Sequence, residues 1–143
     1  MKRHFDYPVN LDKSDEGGYV VTFPDFPEAI TQGDSRTEAL SEATDCLEEA
    51  VANRIIMKLD IPEPSQIKKS QSIVSLHIEL AAKAALYLSM REAKLSNIAF
   101  AKKLHCDEKE IRRLIDPHFS SKLPRIESAL RALGLRLAIG ITS

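Results

Sequence analysis

An α+β fold is predicted for this 143-residue chain. Three observations carry the prediction. Apolar residues alternate along residues 5–12, the period of a half-buried strand. A stripe of apolar residues at helical spacing runs through residues 39–55. Beyond a proline-containing connector the chain changes to strong helix formers and stays helical in character to about Leu133.

In the first strand Phe5, Tyr7, Val9 and Leu11 share one face. Pro8 has no ladder donor, so this strand lies at an edge or turns that position outward. Residues 14–18, ending in Gly17 and Gly18, form a turn, and the β-branched and aromatic run 19–23 completes a hairpin. Pro24, Asp25, Phe26 and Pro27 turn the chain into a short third strand at 28–32, closed by Gly33 and Asp34. Ser35 with Glu38 three places on is a capping-box pattern that opens a helix. Its apolar stripe is Ala39, Leu40, Ala43, Leu47, Ala50, Val51 and Ile55, and its other face carries Glu42, Asp45, Glu48 and Glu49. A connector at about 60–72 leads to a fourth strand at 73–78, giving a three-stranded meander, a helix and a returning strand.

The run Gly18-Tyr19-Val20-Val21-Thr22-Phe23-Pro24-Asp25-Phe26-Pro27-Glu28-Ala29, then Thr31-Gln32-Gly33-Asp34 and the helix opening Thr37-Glu38-Ala39-Leu40, resembles the N-terminal domain of HicB antitoxins of type II toxin–antitoxin systems. The resemblance covers most of residues 7–55. It implies a partial RNase H-like fold and a partner, a HicA-like RNA-cleaving toxin that this domain silences. Tyr19, Asp25, Phe26 and Glu28 are the expected toxin-binding residues, with the helix carboxylates beside them. Such a fold raises the question of nuclease activity, which needs carboxylates that hold two divalent ions ~4 Å apart. Asp6, Asp12, Asp25, Glu42 and Asp45 are candidates, but Asp6 and Asp12 are too far apart along a strand to share an ion. The fourth strand has no central carboxylate. These acids read as solvated charge or as a toxin-facing surface, and no catalytic residue is expected.

From residue 79 onward the pattern is a first helix at 80–90, a second at 96–104, a tight turn at His105 and Cys106, and a third helix at 107–115. Ala101 is the small residue two steeply crossing helices need, and Phe100, Leu104, Cys106, Ile111 and Leu114 fall at apolar positions. Asp107 and Glu110 make a second capping-box pattern. His105 occupies the turn position where glycine is usual, and a left-handed backbone is expected there. This is an all-helical helix-turn-helix domain. Its recognition helix offers Glu108, Lys109, Arg112 and Arg113 to base edges in the major groove. Ser96, Asn97, Ser121, Lys122 and Arg125 suit phosphates. A structural bundle or a protein-binding helix-turn-helix is the plainer reading of the same pattern. Pro124 opens a last helix that Gly134 stops. Residues 136–142 then alternate as a strand with no partner nearby, so pairing with a second copy is expected. The predicted domains are thus 1–78, toxin-binding, and 79–143, DNA-binding with a C-terminal dimerisation strand.

Charge divides along the same line. Residues 1–65 hold 6 basic and 14 acidic side chains, net −8, whereas residues 94–143 hold 10 basic and 5 acidic, net +5. The basic end suits DNA and the acidic end suits a basic protein. The start of the chain lacks the apolar stretch of a signal peptide, and no run approaches the ~20 apolar residues of a membrane span. Cys46 and Cys106 form no CxxC pair, and His4, His77, His105 and His118 show no metal-ligand spacing. A cytoplasmic protein without metal or cofactor is expected, acting as a homodimer or higher even oligomer on operator DNA. Two readings remain open: an antitoxin that also represses its own operon, and a DNA-binding regulator whose N-terminal domain binds an unrelated protein or ligand.

Overall fold

The structure, a computed structural model, describes residues 2–143. The chain divides into two compact units, residues 2–77 and residues 78–143.

In the first unit the strands are β1 (Asp6–Lys13), β2 (Tyr19–Phe23), β3 (Phe26–Gly33) and β4 (Ser72–Ser75), with helix α1 (Arg36–Ile56) between β3 and β4. They form one antiparallel sheet in the order β3-β2-β1-β4. β1 therefore lies inside the sheet. It pairs with β2 over Asn10 to Lys13 and with β4 over Asp6 to Val9, so at Pro8 it has a ladder on one side only, where a missing donor costs little. The predicted alternation places Phe5, Tyr7 and Val9 in the core. Val21, Phe23, Ala29 and Val74 join them, and Tyr7 meets the Phe26 ring edge-on with centroids 4.9 Å apart. The Tyr7 hydroxyl donates to the Pro62 carbonyl at 2.7 Å, and burial pushes its pKa up to about 12.

Helix α1 begins as its sequence demands. The Ser35 hydroxyl accepts from the Glu38 amide at 3.1 Å, and the Glu38 carboxylate accepts from the Asp34 amide at 3.3 Å. Its inner face is largely alanine, and this lets the helix lie close on β3. Leu47, Val51 and Ile55 supply the bulk, each fully buried side chain of this kind contributing about 1.5–3 kcal/mol. The fourth strand is shorter than predicted. Ile78, expected to end it, opens the next helix instead.

The second unit is helical: α2 (Ile78–Glu92), α3 (Asn97–Leu104), α4 (Glu108–Ile115) and α5 (Leu123–Ala132). Leu86, Met90, Phe100, Ile111, Leu114, Ile126 and Leu130 form its core. Residues 136–142, predicted as a strand, form none within the single chain, for they have no neighbour with which to build a ladder. Leu135 and Leu137 rest against the helical core, whereas Ile141 is 99% exposed.

Candidate functional site

Helices α3 and α4, eight residues each, are joined through His105, Cys106 and Asp107. The Ser96 hydroxyl caps α3 by accepting from the Ala99 amide at 3.0 Å, so this expected phosphate contact already holds a helix start. His105 has φ 55° and ψ 46°, the left-handed conformation expected of it. The His105 amide donates to the Lys102 carbonyl at 3.2 Å and the Cys106 amide to the Ala101 carbonyl at 3.0 Å, which ends the helix in a tight reversal. An L-residue in that conformation costs about 1 kcal/mol that glycine avoids. His105→Gly is therefore expected to raise stability by about 0.5–1 kcal/mol. Denaturant unfolding of the variant tests this, and a loss of stability would show that the imidazole has a partner that matters.

Helix α4 buries Ile111 and Leu114 and turns Lys109, Arg112 and Arg113 outward. The expected capping box at its start does not form. Asp107 stands at the cap position but its carboxylate accepts no bond there, and the Glu110 carboxylate, which would reach back to the Asp107 amide, is instead drawn to Arg125 on α5, whose Nε donates to it at 2.6 Å. Arg125, expected at phosphate, is thus an internal tie between two helices. Glu108 and Arg112 pair along the helix at 3.5 Å, and Arg113 lies over the Phe119 ring, 5.1 Å from its centroid. Asn97 is half-buried and Lys122 is exposed.

Lys83 lies within the predicted helix at 80–90, where no motif singles it out. It is fully buried, and its ammonium donates to the Arg113 carbonyl and to the Ser121 hydroxyl, each at 2.8 Å. Desolvation holds its pKa below the usual lysine value, opposed by the carboxylates of Glu79 and Asp116. The cation sits against carbonyls at the C-terminal end of α4, where the helix dipole favours positive charge. Ser121, expected at phosphate, is consumed by this node. A charged residue in an otherwise apolar stretch, residues 80–90, was the signal available for it.

In the first unit the four expected toxin-binding residues are not one surface. Tyr19 pairs with Lys13 and Gly33 at one end of β2, whereas Asp25, Phe26 and Glu28 lie at the other. Phe26 is fully buried against Tyr7 and Phe23, so it shapes the fold. Asp25 accepts from the Ser65 amide at 2.9 Å and from its hydroxyl, tying the β2–β3 turn to the connector. Glu28 grips Arg54 with both oxygens, at 2.8 and 2.9 Å, and hydrogen bonding to that guanidinium lowers its pKa. Arg54 also lies over the Phe26 ring at 4.9 Å. What stays open is the sheet face opposite the core. Ile30 is 63% and Ile73 is 53% exposed, at positions paired with Thr22 and Pro8. Around the unit, Asp6, Asp12, Glu42, Asp45 and Glu49 are exposed acids. Glu48 is engaged by His77.

Among the described residues no three His, Cys, Asp or Glu side chains converge to hold a metal ion, and the five nuclease candidates do not gather. Burial raises the pKa of both free thiols, Cys46 and Cys106, which suppresses the thiolate. No helix among these residues is long and apolar enough to cross a membrane.

Comparison with known proteins adds the family. Residues 6–85 match the family model described as the HicB-like antitoxin of bacterial toxin–antitoxin systems. Antitoxin HicB 2 of Photorhabdus laumondii is 37% identical over 139 residues, which are 97% of this chain and 98% of that one. Antitoxin HicB 1 of the same organism is 34% identical over 97% of this chain and 88% of its own length. Antitoxin HicB of Escherichia coli K12 is 32% identical over 93% and 96%. With a family model spanning more than half its length and relatives matched over nearly all of it, this chain belongs to the HicB-like antitoxins of bacterial toxin–antitoxin systems.

Proposed function

We propose that residues 2–77, a partial RNase H-like domain, neutralise a HicA-like RNA-cleaving toxin, and that residues 78–143, a helix-turn-helix domain, repress the operon by binding operator DNA. The observation that carries the DNA half is α4: one side is locked into the core by Ile111 and Leu114, and the other presents Lys109, Arg112 and Arg113 to solvent. Such a helix can enter a major groove without giving up its packing. Membership of the antitoxin family implies the toxin partner. The exposed acids of the first unit and the open face with Ile30 and Ile73 suit a basic protein whose RNA-binding surface must be covered.

The resulting role is regulatory rather than catalytic. A homodimer or higher even oligomer fits the second unit, because the tail with exposed Ile139 and Ile141 can ladder with its copy. Two recognition helices would then lie about one DNA turn, ~34 Å, apart.

The test is paired. Co-expression with a HicA-like toxin should restore growth, and the purified chain should bind a duplex of its own promoter in preference to a scrambled one. Promoter binding without growth rescue would favour a regulator whose first unit recognises something else. Rescue without promoter binding would remove the repressor half.

A further inference from the structure

Residues 116–121 leave α4 as an ordered loop. The Asp116 carboxylate accepts from the His118 amide at 2.9 Å, and the Asp116 carbonyl accepts from the Phe119 amide at 3.2 Å. At its far end Ser121 is held by Lys83, and its hydroxyl reaches the Arg113 carbonyl at 3.4 Å. That one carbonyl also accepts from the Lys83 ammonium at 2.8 Å and from the Asp116 amide at 3.3 Å. The backbone of Arg113 is therefore fixed by three donors. Its side chain is fixed by a fourth contact, the face of Phe119. Phe119 is 41% exposed and is not part of the helical core around Leu86, Phe100 and Ile126, so its ring face is available to the guanidinium of Arg113.

The two arginines of α4 thus differ. Arg112 shares its charge with Glu108 on the same helix. Arg113 has a ring beneath it, and a ring leaves the guanidinium edges free to donate while it limits the rotamers the long side chain explores. Fixing an arginine before it binds removes part of the ordering cost at the interface.

We propose that Phe119 is a positioning residue for Arg113, and that Arg113, so held, is the residue of α4 that discriminates between base sequences. This rests on the DNA-binding reading given above. Arg112 then contributes charge more than sequence preference. Phe119 acts through the arginine and not by touching DNA.

The experiment titrates the full-length chain by fluorescence anisotropy against its promoter duplex and a scrambled duplex of equal length, at fixed salt. Phe119→Leu keeps the bulk and loses the ring face. It should unfold as the parent does and lose roughly three- to fivefold in promoter affinity per recognition helix, the size of an exposed cation–π contact, with scrambled-duplex affinity unchanged. Phe119→Tyr should restore the preference. In an Arg113→Ala background, Phe119→Leu should have no further effect. An additive loss in that background would mean that Phe119 meets DNA itself, and the proposal would be wrong. Unchanged discrimination in Phe119→Leu overturns it while the DNA reading stands. If the parent chain cannot tell promoter from scrambled duplex, the DNA reading falls, and this proposal with it.

Discussion

Gly33→Ala is expected to destabilise the 2–77 unit by about 3 kcal/mol, the upper part of the range for overpacking a close contact. A Cβ at Gly33 would stand 2.4 Å from the Ala39 nitrogen, 2.6 Å from its Cα and 2.8 Å from the Glu38 carbonyl carbon. All three are backbone atoms of the first turn of α1, so no rotamer change can relieve them. That turn is also held by the Ser35 cap, so moving it away would disrupt the capping bonds as well. Gly17 provides the contrast. Its added Cβ would meet nothing within 4 Å, and Gly17→Ala should cost only the strain of a positive φ, about 1 kcal/mol. Amide exchange in α1 and β3, with urea midpoints for each variant, measures both. A Gly33→Ala variant as stable as the parent would show that α1 can stand further from β3 than its alanine face suggests.

Replacing Arg112 and Arg113 together by alanine is expected to lower promoter affinity on the order of 100-fold, since a bidentate base contact from Arg113 is worth about 1–3 kcal/mol in each of two recognition helices and the charge of Arg112 is lost with it. Both side chains are exposed, and alanine is the better helix former, so α4 should persist. The Lys83 ammonium binds the carbonyl of residue 113, which alanine retains. Neutralisation of the toxin should be untouched, because the proposed toxin surface lies in the other unit. Promoter binding and growth rescue in the same strains decide it. Loss of both together would mean that the two activities share α4, and the division of labour would have to be abandoned.

Local patterns in the sequence were reliable where the interaction they encode is local. β2 lies over the residues its β-branched run marked, the Ser35 hydroxyl caps α1 as its spacing promised while Glu38 reaches the Asp34 amide one place earlier, and His105 takes the left-handed turn. The Glu110 half of the second capping box did not form, because Arg125, 15 residues on, offers Glu110 a full charge where the helix start offers a neutral amide. Phe26 looked like a surface residue between two prolines, yet the register shift at Thr22 and Phe23 packs it inward.

Periodicity, capping and turn chemistry in the sequence by themselves determined the α+β class, the order of elements as far as the last helix and the helix, turn and helix of the second half, but not the state of residues 136–142. Family membership was likewise legible in residues 18–40. Tertiary structure alone decided which polar side chains are available. Glu28 and Arg54 are 26 residues apart, Asp25 and Ser65 are 40, and Lys83 reaches partners 30 and 38 away. Each of these contacts forms only when the chain closes on itself, and each engages a donor or acceptor that the sequence alone leaves free. The sequence of helix, tight turn and helix at 97–115 is thus written in local spacing, whereas the contacts that engage Arg113, Ser121 and Arg125 depend on partners that only folding brings within reach.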